Sequence, residues 1–252
     1  MTYFFHIGSD KTGTTIIARL IDQHPKIACM SEAFFLLHGH KASVFNPGII
    51  TPRHGFDIDR RKVWTDYIDM THDYKFPMID ALEDFKERCG KELVGDSWVR
   101  YITFIEKMVD MFPDAKYIYN VRDPRAVWLS GQLFKNKGIG DNQLRAMLIR
   151  ERVIEKFKDK LDILTVKYED VILNPRGMMT AIFDFLGHDF KDEYLDYIPK
   201  NDPYPLRWGQ INNIRGSLDV SRIDRWRSGV HPKKIKEIER KSKWFMERYS
   251  YE

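Results

Sequence analysis

The feature that most constrains this chain stands close to its start. An apolar run, YFFHIG (residues 3–8), meets a loop closed by glycine and rich in hydroxyls, SDKTGTT (9–15), and then the apolar-spaced IIARLIDQH (16–24), stopped by Pro25. A buried strand, a tight glycine loop and a helix form the opening unit of a parallel α/β sheet, because parallel neighbours must be joined by a crossover rather than a hairpin. The alternation returns downstream: ELVGDS (92–97) predicts a strand, RYITFIEKMVDMF (100–112) a helix, KYIYNV (116–121) a strand and RAVWLSGQLFK (125–135) a helix. DILTVKYED (162–170) predicts a further strand, and RGMMTAIFDFLG (176–187) an amphipathic helix closed by Gly187. The expected fold class is therefore α/β, a parallel β-sheet flanked by helices.

The first loop also limits the chemistry. In a nucleotide triphosphatase the second glycine of G-x-x-x-x-G is followed by a lysine for the terminal phosphates and a hydroxyl for magnesium. Gly8 and Gly13 have that separation, but Thr14 occupies the lysine position and Lys11 lies inside the loop. What remains is an anion cradle of backbone N–H groups from Lys11 to Thr15, the positive end of the following helix, threonine hydroxyls and one ammonium. Such a cradle suits a phosphosulfate; a bare glycine loop of this kind is also compatible with a tight turn and an ordinary N-cap threonine. A second element, YIYNVRDPRAVWLS, places Arg122 at the end of a strand and Ser130 on the helix that follows, a guanidinium and a hydroxyl that can grip one further phosphate. Standing alone, the same residues read as a surface ion pair and a helix serine.

Bulk properties exclude several classes. The 41 basic and 37 acidic residues leave a net charge of +4, too small to indicate nucleic acid without a concentrated patch. Cys29 and Cys89 form no CxxC pair, and no histidine cluster has metal-ligand spacing, so neither a disulfide framework nor a metal site is expected and the thiols read as reduced in a cytoplasmic protein. No leader pattern opens the sequence and no run reaches the ~18 apolar residues of a membrane span, so no membrane partner is expected. The 252 residues fit one compact domain without repeats. Two stretches are irregular: about 38–75, where scattered Gly, Pro and His precede KVWTDYIDMTHDY (62–74), a predicted helix, and the Pro- and Asn-rich loop 199–217, after which IDRWRSG (223–229) and PKKIKEIERKSKWFMERY (232–249) predict helices.

Taken together, GSDKTGTT, NVRDPRAVWLS, VKYEDVILNP with FDFLG, and SLDVSRIDRWRSGVHPKKIKEIE resemble, in family order, the sulfotransferases that use 3′-phosphoadenosine-5′-phosphosulfate (PAPS). The resemblance implies a P-loop NTPase-like sulfotransferase fold spanning residues 1–252 as a single domain, with an acceptor-pocket insert at about 38–75 and a donor-covering segment at about 205–232. It implies PAPS as sulfuryl donor, 3′,5′-adenosine bisphosphate (PAP) as product and no metal. Lys11, Thr12, Gly13, Thr14 and Thr15 fall to the 5′-phosphosulfate, Arg122 and Ser130 to the 3′-phosphate, and Tyr168 to adenine. Arg215 and Gly216 lie where the family places a basic donor-binding loop, with Arg222, Arg225 and Arg227 competing nearby; these three read equally as a solvated basic helix face.

For catalysis, Lys11 is expected at the bridging oxygen, where charge develops on the leaving phosphate. Glu32, in MSEAFF, is similar in placement to the glutamate base of the heparan sulfate sulfotransferases, and neighbouring aromatics would raise its basicity by desolvation. A helix-capping or salt-bridged glutamate is the other reading. Asp96 is the second candidate base and His6 a third that could face the site, although a buried structural histidine is the commoner fate. The acceptor is expected to be a hydroxyl or amine of a small molecule or carbohydrate. Asp66, Asp69 and Asp73 either line its pocket or form a solvated helix face. A P-loop kinase and a catalytically inactive PAP-binding homologue are the alternatives, and the oligomeric state is left open.

Overall fold

The computed structural model describes residues 3–31, 75–134, 138–196 and 218–252. Five strands form one sheet: β1 (Phe4–Gly8), β2 (Ile27–Ser31), β3 (Leu93–Ser97), β4 (Lys116–Val121) and β5 (Asp162–Lys167), in spatial order β2-β3-β1-β4-β5. Every pairing is parallel. The α/β class is as expected, and the order explains the position of the site. The chain moves to one side of β1 for β2 and β3, then crosses to the other side for β4, so a crevice opens beyond the carboxyl ends of the strands where the order reverses.

Helices cover both faces. On one side lie α1 (Thr14–Ile21), the short α6 (Tyr168–Leu173) and α7 (Pro175–Leu186). Their Ile17, Leu20, Val171, Ile182 and Phe183 pack with Phe4, Ile27, Cys29, Ile118 and Val166 from the strands. On the other side lie α2 (Lys75–Cys89), a 3-10 turn (Val99–Phe104) leading into α3 (Ile105–Met111), then α4 (Pro124–Gln132), α5 (Gly140–Phe157), α8 (Ser221–Gly229) and α9 (Pro232–Arg248). There Phe5, Ile7, Ala28, Met30, Val94, Tyr117 and Tyr119 meet Tyr101, Met108, Val127, Met147 and Phe245. Alternate residues of one strand thus serve two cores, as the period of a pleated strand covered on both faces requires.

The sequence explains the helix ends. Asp123 caps α4 by accepting the Arg125 N–H, with Pro124 at the first helical position, and Asn174 with Pro175 repeats the device on α7. Gly187 then closes α7 in the left-handed region at φ 82. Two boundaries differ from expectation. The stretch 162–170 is strand only to Lys167, because its ladder partner β4 ends at Val121, opposite Lys167; Tyr168 already opens α6. The stretch 100–112 is a 3-10 turn before it is a helix. Three elements, β2, α2 and α5, lie beyond the sequence expectation. In β2, Ile27 to Met30 are all buried, a continuous run without the alternation that marks a half-buried strand.

The last turn of the chain is fastened to the sheet through a buried carboxylate. Glu151 of α5, fully buried, accepts hydrogen bonds from the Tyr119 hydroxyl at 2.5 Å, the Tyr249 hydroxyl at 2.8 Å and the Arg248 guanidinium at 3.1 Å. The charge raises the pKa of both tyrosines, after burial, the larger cause. Removing it leaves the buried Tyr119 hydroxyl and the half-buried Tyr249 hydroxyl without this acceptor, while Arg248 keeps its second partner, Glu155. Glu151→Ala should therefore lower the unfolding free energy by about 3 kcal/mol, read from the urea midpoint at unchanged slope.

Candidate active site

The loop after β1 is built from two residues in the left-handed region, Lys11 at φ 71 and Gly13 at φ 94. Glycine is needed at the second for two reasons. The conformation disfavours a side chain, and a Cβ there would fall 2.3 Å from the Tyr168 ring. Thr12 is fully buried and shapes the turn from within: its amide and its hydroxyl both donate to the Ser9 carbonyl, the hydroxyl at 2.7 Å. The Asn120 side-chain amide of β4 donates to the Thr12 carbonyl, fixing the loop to the neighbouring strand. Helix α1 then begins at Thr14, so its free N–H groups and its positive end are directed at the loop.

A cavity of about 260 Å³ opens at this loop, lined by Asp10, Lys11, Gly13, Thr14 and Thr15, by Arg122, Leu129, Ser130 and Phe134, by Tyr168 and Ile172, and by Leu218, Arg222, Arg225 and Trp226. Segments distant in sequence meet there because β1 and β4 are paired neighbours, Gly8 opposite Asn120, and the loops that follow them leave the same edge side by side. Arg122 binds the segments together. It donates to the Lys11 carbonyl at 3.1 Å and to the Arg222 carbonyl at 3.1 Å, and its guanidinium lies 4.1 Å from the centre of the Tyr168 ring. Its Nε is buried with no partner among the described residues. The Lys11 ammonium lies over the Phe134 ring, 3.2 Å from its centre.

Of the residues singled out from sequence, Lys11, Gly13, Thr14, Thr15, Arg122, Ser130 and Tyr168 all reach this cavity. Thr12 does not; its side chain faces the inside of the loop. Arg222 and Arg225 line the wall, spaced by one turn of α8, whereas Arg227 turns outward to Asp224 at 2.9 Å. Glu32, Arg215 and Gly216 lie outside the described residues, as do Asp66, Asp69 and Asp73 and nearly all of the 38–75 insert. The two alternative bases sit apart from the cavity. Asp96 is fully buried and accepts the Tyr101 hydroxyl at 2.5 Å, because its side chain leaves β3 toward the 3-10 turn. His6 is fully buried with Nδ1 3.0 Å from the Ser97 hydroxyl, and Nε2 has no partner among the described residues.

Several lining residues were not singled out from sequence, among them Phe134, Asp10 and Asp219. Phe134 stands four positions after Ser130, one helical turn further along, and that spacing was the available signal. Asp10 carried none, because an acidic residue is not a residue type that suggests an anion cradle.

The four cations, the threonine hydroxyls and the exposed helix end describe a site for a ligand with more than one anionic group. Over residues 4–192 the sequence matches the model of the sulfotransferase family. This chain belongs to that family. Nodulation protein NoeE of Sinorhizobium fredii is 25% identical over 132 residues, covering 49% of this chain. The match spans only 29% of the length of that relative. Among solved structures, the sulfotransferase domain of the Synechococcus PCC 7002 olefin synthase superposes with a TM-score of 0.72 at 22% identity, covering 92% of this chain and 89% of that domain. The sulfotransferase domain from the curacin biosynthetic pathway gives 0.70 at 17% identity, covering 100% and 99%. The fold is thus the P-loop-like fold of sulfotransferases. Among the described residues no group of His, Cys, Asp and Glu could hold a metal ion, and no helix is long and apolar enough to cross a membrane.

Burial lowers the pKa of His6 from 6.5 to about 3, so beneath this sulfotransferase loop the imidazole is neutral at all ordinary pH. The unfolded chain takes up a proton as the pH falls through 6.5, while the folded one does not until about 3. Stability should therefore fall on acidification across that window, by up to ~1.4 kcal/mol per pH unit from this group. His6→Gln, compared with the parent by urea unfolding at several pH values, should remove that slope.

Proposed function

We propose that this sulfotransferase uses PAPS as donor and passes the sulfuryl group, by in-line displacement, to a hydroxyl or amine of a small-molecule or carbohydrate acceptor. The observation that carries the reading is a single cavity bordered both by the glycine and threonine loop, with Lys11, and by Arg122 and Ser130 from the next strand and helix. Two anion positions joined by an aromatic and apolar wall of Tyr168, Ile172 and Leu218 suit a nucleotide with a phosphosulfate at one end and a ribose phosphate at the other. Lys11 and the amides of Gly13, Thr14 and Thr15 hold the 5′ end; Arg122 and Ser130 hold the 3′-phosphate; Tyr168 flanks the base. Thr12 contributes by keeping the loop in shape, and Arg222 and Arg225 add charge from α8. Arg215 and Gly216 belong to the same donor-covering segment in this reading.

In the transfer step the acceptor oxygen or nitrogen bonds to sulfur as the bond from sulfur to the bridging oxygen breaks. Lys11 stabilises the negative charge that this oxygen gains, which makes its contribution greater in the transition state than in the ground state. Glu32 takes the acceptor proton. No metal ion is called for, since the cations of the cavity neutralise the leaving phosphate. The chain acts as one cytoplasmic domain, with the 38–75 insert shaping the acceptor side, and needs neither nucleic acid nor membrane as partner.

The donor is tested by calorimetry. PAP should bind with micromolar or better affinity, ATP in a parallel titration should bind far more weakly, and Arg122→Ala should weaken PAP by about 100-fold. Tight ATP binding without PAP binding would revive a kinase. With labelled PAPS and a panel of acceptors, Lys11→Ala should lower kcat by about 100-fold or more while changing donor affinity much less. Glu32→Gln should abolish turnover yet leave PAP binding nearly intact; wild-type kcat in that variant would remove Glu32 as the base. PAP binding without turnover of any acceptor would point to an inactive homologue.

A further inference from the structure

Asp10 is an unexpected residue in an anion cradle. It sits between Ser9 and Lys11 and borders the same cavity as Lys11, Thr14 and Thr15, where its carboxylate would repel a phosphosulfate. The structure supplies a counter-charge from far along the chain: the Arg150 guanidinium of α5 donates to the Asp10 carboxylate at 2.9 Å. The two partners differ in exposure, 11% for the Arg150 side chain and 41% for Asp10, so the cation comes from the protein interior and the anion from the cavity edge. Helix α5 holds Arg150 rigidly. Leu144, Met147 and Ile154 of the same helix are buried in the core, and the adjacent Glu151 is bound by Tyr119, Tyr249 and Arg248. Glu151 is therefore already partnered, and the pair stands beside Lys11, whose left-handed backbone follows Asp10 directly.

We propose that Arg150 is a positioning residue of the anion site that acts through Asp10: it cancels that carboxylate's charge at the cavity edge and fixes the loop from which Lys11 projects. The inference takes only the identity of its ligand from the donor reading above. Charge cancellation makes a prediction of opposite signs that a simple structural tie does not. Losing Arg150 leaves an uncompensated anion beside an anionic ligand; losing the charge of Asp10 leaves an uncompensated cation there.

The test is a double-mutant cycle of wild type, D10N, R150Q and D10N/R150Q, each titrated by calorimetry with PAP and, separately, with inorganic pyrophosphate. Relative to wild type, R150Q should bind PAP roughly 10-fold more weakly, D10N about threefold more tightly, and the double variant within about threefold of wild type. R150K, which keeps the charge, should remain within about threefold as well. If D10N and R150Q weaken binding alike and the double variant is no better, the pair is only a structural tie and the proposal falls. It also falls if R150Q binds as wild type does. Should R150Q fail to fold, D10N decides alone, tighter binding supporting the proposal and weaker binding overturning it. If wild type binds pyrophosphate but not PAP, the donor reading fails while the pyrophosphate cycle still judges the pair; if it binds neither, both fail.

Discussion

Gly8 and Asn120 face each other across two parallel strands, and the site depends on that single pairing. A Cβ on Gly8 would lie 2.9 Å from the Asn120 carbonyl, so the residue that ends β1 must be glycine for the strands to approach this closely. The closeness has two results. The Asn120 side chain reaches the Thr12 carbonyl and steadies the first loop, and the turn after β4 delivers Arg122 to the Lys11 carbonyl. Cations far apart in sequence are thereby gathered around one cavity, where backbone carbonyls, Asp10 and Asp219, which pairs with Arg222 at 2.9 Å, offset part of their mutual repulsion. The topological reversal at β1 is the reason the crevice lies there and not elsewhere along the sheet.

A layer of buried charge behind the cavity wall keeps the second loop in place. Asp123 caps α4 and pairs with Arg125 at 2.8 Å, Arg125 pairs with Glu239 at 2.9 Å and reaches the Glu252 carbonyl, and its guanidinium lies 3.9 Å from the centre of the Trp226 ring. Glu169 accepts the Asp123 amide at 3.1 Å and the Tyr251 hydroxyl at 2.9 Å, and burial raises its pKa. Buried ion pairs return little net stability once desolvation is counted, so their value here is geometric. They leave the 122–125 turn one low-energy arrangement and attach to it the last helices of the chain, which carry Arg222 and Arg225 to the cavity. Side chains held in this way are in place before any ligand binds, which lowers the ordering cost on association.

Much of the site was legible in the sequence because its chemistry is local. The anion loop, its left-handed glycine and the following helix occupy one short stretch, and Arg122 with Ser130 occupy another, each recognisable by residue type and spacing. Thr12 shows the limit of that logic: residue type does not reveal that the tightness of the turn directs its hydroxyl to the Ser9 carbonyl. Asp96 and His6 show another. Both stand on the strands that lead toward the site, yet strand alternation and side-chain partners place one against Tyr101 and the other against Ser97, away from the cavity. Neither fact could be read from the residues alone, since it depends on which helix covers which face.

By itself the sequence determined the α/β class, the places of four of the five strands along the chain and the residue types of the two loops that border the cavity, because each follows from periodicity, glycine placement and residue type over a few neighbours. Only the tertiary structure decided that the two loops share one cavity, that Arg222 and Arg225 turn toward it while Arg227 turns away, and that a carboxylate inside the cradle is matched by Arg150. Those decisions rest on strand order and on packing between elements distant in the chain, and electrostatic interactions depend on separation in space, not on separation in sequence.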